Sequence, residues 1–292
     1  MKLSENRACS FFIVFLVYGL ATASGILSYH YFPFAPYISL LLADILATVL
    51  TFAFSVALGN ASVYDPYWSV QPLVIVLAFA LRAPALGWLQ ILCIVTVFIW
   101  GVRLTANWAY TFRSLKHQDW RYTMLREKTK ALYPFVNFLG IHLVPTLIVY
   151  GCTLPAVFLI TSGATHPASA PFFALSLCAV LLQGTADCQM HAFRKKGTGS
   201  FIRVGVWKYS RHPNYLGEIL MWWGVAIACV IAMPAKWYLC AGALMNTLLF
   251  LFVSIPLADN RQARKPDFAA YKAQTRMLLP IKKRPPARKV ED

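Results

Sequence analysis

The chain has 292 residues, of which 59% are hydrophobic and only 13% charged, with a mean hydropathy of +0.57. A soluble domain carries roughly 25% charged residues, so the composition excludes one and indicates an integral membrane protein. The net charge of +16 does not indicate nucleic acid, because the basic residues sit between and after apolar runs, as in membrane-protein loops.

A helix needs about 20 apolar residues to cross a bilayer. Apolar runs cover residues 11–27, 37–58, 70–81, 86–108, 138–160, 171–190, 216–233 and 235–257. The third is short, and Pro234 alone separates the last two. The expected fold is an all-α polytopic transmembrane helical bundle of seven to eight spans. With eight spans and the N-terminus in the cytosol, 24 of the 27 basic residues fall on the cytosolic side. Only Arg82 and Lys236 fall outside, and Arg103 lies within a span. Residues 1–25 carry marks of a signal peptide: Lys2 and Arg7, an apolar stretch, then Ala21-Thr22-Ala23. The apolar character continues past them, which favours an uncleaved anchor. Asn60-Ala61-Ser62 is a glycosylation sequon, expected to stay bare on the cytosolic side. Residues 1–257 read as one membrane domain and 258–292 as a basic cytosolic tail that contacts anionic headgroups.

This topology brings polar residues of separate segments to one side of the bilayer. Asp65 follows span two, and Arg103 lies near the inner end of span four. Gln183, Asp187, His191 and Arg194 form one stripe on span six, and Asn214 and Glu218 open span seven one turn apart. Charged groups in a membrane helix are costly to desolvate, so a polar ligand site within the bundle is the simplest use. Each group has a plainer reading. Arg103 can snorkel or pair with Asp187, and Asp187 and Glu218 can be structural partners of the Arg211/His212 loop. Asp44, in mid-span, is expected to hydrogen-bond a neighbouring helix and is left off the site. No His, Asp or Glu cluster has metal-ligand spacing, so no metal is expected. The seven cysteines are scattered, without a Cys-x-x-Cys pair, and read as small buried hydrophobes. There is no dinucleotide-binding glycine pattern after a strand, no P-loop and no serine nucleophile elbow. The cations Arg194, Lys195, Lys196, Arg203, Lys208 and Arg211 flank the expected pocket. They would attract an anionic cofactor with several phosphates, a description that NADPH meets, while an apolar substrate enters from the bilayer.

The stretch Gly205-Val206-Trp207-Lys208-Tyr209-Ser210-Arg211-His212-Pro213-Asn214-Tyr215-Leu216-Gly217-Glu218 resembles the steroid 5-alpha-reductase C-terminal-domain group, closest to its domain-of-unknown-function subgroup. Ala186-Asp187, Arg194, Tyr271, Lys272, Thr275 and Pro280 support the match over 180–282. Asp65-Pro66-Tyr67-Trp68-Ser69-Val70-Gln71-Pro72 and Trp100-Gly101-Val102-Arg103-Leu104 resemble motifs of the subgroup. The Arg-His-Pro-x-Tyr core also resembles isoprenylcysteine carboxyl methyltransferases, but Asn214 and Gly217-Glu218 favour the reductases.

The resemblance implies a membrane oxidoreductase that uses NADPH to reduce a carbon–carbon double bond conjugated to a ketone in a lipophilic, steroid- or isoprenoid-like substrate. By position, Asp187, Asn214 and Glu218 would hold the cofactor, with Arg103 and Arg194 near its phosphates; Gln183, Arg211, His212 and Tyr215 are also taken as cofactor-binding. Asp65 stands where the reductases place an acid beside the substrate carbonyl. Trp100 replaces a Tyr that helps polarise the ketone there, and its indole N–H is a poorer proton donor. Either Asp65 acts alone or a phenol, Tyr64, Tyr67 or Tyr110, stands in; Asp65 and Tyr67 are taken as the catalytic pair. Two rival readings are an S-adenosylmethionine-dependent methyltransferase and a non-catalytic sterol- or lipid-binding membrane protein. The substrate, the oligomeric state and the organelle are not legible.

Overall fold

A computed structural model describes residues 5–197 and 200–280. Of the expected features, Lys2 and residues 281–292 of the basic tail lie outside the described residues. Among the described residues there is no strand, and the secondary structure is helical. The helices are α1 (Arg7–Tyr31), α2 (Pro36–Ala57), α3 (Tyr67–Ala80), α4 (Trp88–Thr111), α5 (Trp120–Thr129), α6 (Tyr133–Phe135), α7 (Val144–Ser162), α8 (Ala170–Lys195), α9 (Pro213–Ala232), α10 (Ala241–Leu249), α11 (Ile255–Gln262) and α12 (Phe268–Gln274).

Local chemistry sets the boundaries. The Asn6 side chain accepts from the N–H groups of Ala8 and Cys9 and so caps α1. Proline opens α2, α8 and α9, where its missing N–H leaves nothing unsatisfied. Gly163, at φ 65°, closes α7 in the left-handed conformation. Two long helices contain widened π-type segments, Val136–Leu143 and Phe250–Ser254. Each runs into a proline, Pro145 or Pro256. A proline ring clashes with the carbonyl four residues earlier, and a wider turn relieves that clash.

Among the described residues, seven helices are long and apolar enough to cross a membrane: Arg7–Tyr31, Pro36–Ala57, Trp88–Thr111, Trp120–Ser162, Pro167–Lys195, Pro213–Ala232 and Pro234–Gln262. The chain is an integral membrane protein. α3 has 14 residues, about 21 Å at 1.5 Å per residue, and falls short of that length. It nevertheless connects the two ends of the bundle. At one end Arg7 Nη2 donates to the Ala109 carbonyl (2.9 Å), Asn60 Nδ2 to the Leu115 carbonyl (2.6 Å), and Arg261 stacks over Trp120 (4.3 Å). At the other, Arg82 meets His30 (2.8 Å), Gln90 Nε2 donates to the Ala164 carbonyl (2.7 Å), and Ser169 Oγ donates to the Ala228 carbonyl (2.7 Å). The described residues therefore make eight passes between the two ends, one of them through the short α3.

The core centres on Trp100 and Trp222, both buried and edge-to-face at 4.8 Å. α8 and α9 pack along their whole length. A Cβ at Gly217 would lie 2.7 Å from the Ala179 carbonyl oxygen, so only glycine allows that approach. The α1–α2 hairpin leans on α7 and on the turn Ala61–Tyr64, and a cavity separates it from α3.

Candidate functional site

Arg103 of α4 forms the first part of the site. Its Nη1 donates to Asp187 Oδ2 at 2.8 Å and its Nη2 to Gln183 Oε1 at 2.5 Å, both on α8. Gln183 then donates through Nε2 to Glu218 Oε2 of α9 at 3.0 Å. Glu218 also accepts from Trp100 Nε1 (2.9 Å) and Trp222 Nε1 (3.0 Å). The close contact at Gly217 sets this geometry by bringing the first turn of α9 onto α8. A continuous charged network thus links three helices. Within it the Arg103 Nε is buried and has no partner.

This network lines a cavity of about 330 Å³. Arg103, Gln183, Asp187, Asn214, Tyr215 and Glu218 all face it, together with Trp68, Asn107, Trp120 and Arg121. An adjoining cavity of about 600 Å³ extends it toward the end of the bundle and is lined by Arg194, Arg211, His212, Arg261 and Lys265. Asn107, Asp187, Asn214 and Tyr215 border both. Asn214 and Arg194 form no side-chain hydrogen bond or ion pair with other described residues, so both are available to a ligand. Lys265 donates to the Ser200 carbonyl at 2.6 Å, and burial, then the neighbouring Arg261 and Arg194, hold its ammonium below the usual lysine range. Such a crowded positive rim favours a bound anion.

The structure thus gathers six of the expected cofactor residues around one cavity and Arg194, Arg211 and His212 around its extension. Arg211 and His212 have a second engagement. Arg211 Nη2 and His212 Nε2 both meet the buried Asp259 carboxylate, at 3.0 and 2.9 Å, and Arg211 Nη1 donates to the Thr275 carbonyl at 2.6 Å. Their structural partner is therefore Asp259. Asp187 and Glu218, offered by the sequence for that role, face Arg103 and the two tryptophans.

The expected catalytic pair is not brought together. Asp65 lines neither cavity of the cleft. It accepts from the Tyr122 hydroxyl at 2.6 Å, and burial pushes its carboxyl up to about 6 against the opposing pull of Arg121 and that hydrogen bond. Tyr67 faces the other way, into a third cavity of about 290 Å³ between the α1–α2 hairpin and α3. There its hydroxyl donates to Asp44 Oδ1 at 2.8 Å, and Gln71 Nε2 donates to Asp44 Oδ2 at 2.7 Å. Asp44 does bond a neighbouring helix, as expected, but it also lines a cavity, which leaving it off the site missed. The rest of this cavity is largely apolar, with walls such as Leu40, Val74, Ile75 and Phe79. Tyr67 and Trp68 are consecutive, yet one faces the apolar cavity and the other the polar cleft, so the first turn of α3 separates the two. Trp100, discussed above as a proton donor to substrate, donates to Glu218. Of the other phenols, Tyr64 is buried against Thr146 (2.8 Å) and Tyr110 is exposed. Among the described residues no cluster of His, Cys, Asp or Glu could hold a metal ion.

Trp120 and Arg121 of α5 were not foreseen. They come from a polar segment without a membrane-helix signature, and only the fold carries them to the cleft.

An uncharacterized protein of Schizosaccharomyces pombe, C594.04c, is 26% identical over 215 residues, which is 63% of this chain and 62% of that protein. The chain thus matches less than two thirds of the length of that relative. No solved structure matches the chain. The pattern of a family described as proteins of unknown function, DUF1295, matches residues 51–275, well over half of the chain, and the protein belongs to that family.

Proposed function

We propose that the protein is an NADPH-dependent membrane reductase acting on a carbon–carbon double bond of a lipophilic substrate, as the resemblance to the steroid 5-alpha-reductase group implies. The observation that carries this reading is the convergence of Arg103, Gln183, Asp187, Asn214, Tyr215 and Glu218 on one cleft with a cationic extension. The residues fit the cofactor. The unpartnered Arg103 Nε, the uncommitted Asn214 amide and the Arg194–Arg261–Lys265 rim supply the donors and charge that phosphates and a carboxamide require. When bound, the nucleotide supplies a hydride for an activated double bond.

The protein's own groups do the rest. Glu218, fixed by two indoles, fixes Gln183, which holds Arg103 in place for an anion. Asp65 anchors Tyr122 and with it the start of α5, whose Trp120 and Arg121 border the cleft. In this reading Asp65 is a positioning residue. The apolar cavity takes the substrate, and Tyr67 with Asp44 at its floor is the phenol–acid pair nearest to it. Reduction requires the two bound molecules to touch, so the first turn of α3 has to yield when both sites are loaded. The bias of basic residues directs the cleft to the cytosol.

Titration of the purified protein with NADPH, followed by tryptophan fluorescence, tests the reading. Saturable binding is expected, and Arg103→Leu should weaken it at least tenfold. S-adenosylmethionine should not compete, because it has no phosphate for the cationic rim. If NADPH does not bind, or S-adenosylmethionine binds instead, the reductase assignment is wrong.

A further inference from the structure

The apolar cavity is a slot with a cation at one end. Tyr18, Asp44 and Tyr67 lie at its inner end, and Tyr29, Leu81 and Arg82 lie at the end of the bundle away from the cleft. The α1 wall from Tyr18 to Tyr29 is about 16 Å long at 1.5 Å per residue. That is about the depth of one leaflet of a hydrocarbon core about 30 Å thick. Arg82 has no counter-charge in the protein. The connections at its end of the bundle, residues 31–36, 81–88, 162–169 and 232–240, contain no aspartate or glutamate. Among the described residues Arg82 forms no ion pair. Its Nη2 meets His30 Nε2 at 2.8 Å, and since a guanidinium only donates, the imidazole accepts there and adds no charge. The guanidinium also lies over the Tyr29 ring, 5.4 Å from its centre. These two contacts hold Arg82 beside the slot and leave its charge and most of its N–H groups unused. Lys236, the other cation at this end, lies over the Phe158 and Tyr238 rings at 5.2 and 5.8 Å and lines none of the three cavities. A cation kept on the side that membrane proteins leave poor in cations, at the mouth of an apolar slot, calls for an anion carried on an apolar chain.

We infer that this slot seats one acyl chain of an anionic phospholipid from the leaflet opposite the cleft, with the lipid phosphate on the Arg82 guanidinium. A phosphate accepts charge-assisted hydrogen bonds from a guanidinium, and His30 and Tyr29 hold that guanidinium at the mouth. Gly25, Ala43 and Ala47 leave the α1–α2 wall without bulky side chains, so a straight chain fits between the hairpin and α3. The charge selects the headgroup. A zwitterionic lipid also carries a phosphate, but it brings an ammonium that Arg82 repels. This goes beyond the reductase reading: the lipid is not the compound that is reduced, and a substrate entering the slot displaces its chain.

The test is native mass spectrometry of the purified full-length protein in neutral detergent, without nucleotide. The probes are phosphatidylglycerol and phosphatidylcholine with identical chains. One saturable phosphatidylglycerol is expected per protein, bound at least about fivefold more tightly than phosphatidylcholine. Arg82→Gln should remove this preference by weakening phosphatidylglycerol alone, whereas Lys236→Gln should keep it. Ala78→Trp, which fills the slot, should weaken both lipids. Equal binding of the two lipids by the wild type, or no saturable binding, overturns the inference without any variant. So does a preference that survives in a folded Arg82→Gln protein or is lost in Lys236→Gln, and so does lipid binding that Ala78→Trp leaves unchanged. Oleate binding more tightly than phosphatidylglycerol would assign the slot to a free fatty acid. Displacement of the lipid by glycerol 3-phosphate would assign Arg82 to a bare phosphate. Either result overturns the phospholipid. NADPH titration is a separate measurement on the opposite cleft, so failure of the reductase reading would be distinguished from failure of this inference.

Discussion

Asp65 shows how far one side chain's surroundings can depart from its place in a motif. The resemblance implies a place beside a reacting carbonyl; the structure puts it under Tyr122 of α5. Burial raises its carboxyl to about 6 from the usual 3.8. The sign of the linkage follows. Below the unfolded value both states are protonated and this contribution to stability is fully present. Between about pH 4 and 6 the unfolded chain releases its proton while the folded protein retains it, so stability falls, and above about 6 the loss is complete. At 1.36 kcal/mol per pH unit the loss is about 2–3 kcal/mol. Thermal unfolding of wild type and Asp65→Asn from pH 4 to 8 should show the variant gaining relative stability up to about pH 6 and then running parallel. A constant difference across that range would mean that Asp65 does not titrate there. The stripe Gln183–Asp187 and the pair Asn214–Glu218 were legible because helical spacing alone puts each set on one face. Asp44 was not, because its meaning depends on Tyr67 and Gln71, which reach it from another helix.

At the level of elements, the sequence announced seven of the helices through length and apolarity, whereas α3 and α5 were hard to read. α3 is too short for a span, and α5 is polar. The Ser210–Glu218 segment was the clearest signal in the chain, yet half of its purpose lay elsewhere. Arg211 and His212 hold Asp259 in the middle of α11, and their backbone N–H groups bond the Arg276 and Met277 carbonyls beyond α12. This clasp fixes the polypeptide that closes over the larger cavity. Asp259 lies 47 residues from His212, too far for spacing to reveal. Asp259→Ala leaves the buried Arg211 guanidinium without its carboxylate, a change that typically costs about 3–5 kcal/mol. A lower unfolding midpoint and faster protease cleavage between α11 and α12 are the expected results. An unchanged cleavage rate would show that the clasp does not hold this segment. Tight interhelical packing was equally hidden. A side chain at Gly242 would collide with the backbone of Gly151 on α7.

For the whole molecule, eight passes place residues 116 and 203 at one end and residues 31 and 237 at the other, all of them exposed. In a cysteine-free background, Lys116→Cys and Arg203→Cys should react with a membrane-impermeant thiol reagent from one side of sealed vesicles. Tyr31→Cys and Trp237→Cys should react from the other side. Labelling of residues 31 and 116 from the same side would mean that the passes were counted wrongly. The sequence supported this layout through its charge distribution but left seven and eight spans open, because fourteen residues of α3 are ambiguous on length alone.

The α1–α2 hairpin stands off from α3, and the family pattern begins only at residue 51, near the end of that hairpin. Tyr18, Gly25, Ala43 and Asp44 therefore precede it, while Arg103, Asp187, Asn214 and Glu218 all fall within it. Such a division resembles an interchangeable front panel on a fixed chassis. A substitution in the panel therefore reshapes the apolar cavity without touching Arg103, Asp187, Asn214 or Glu218.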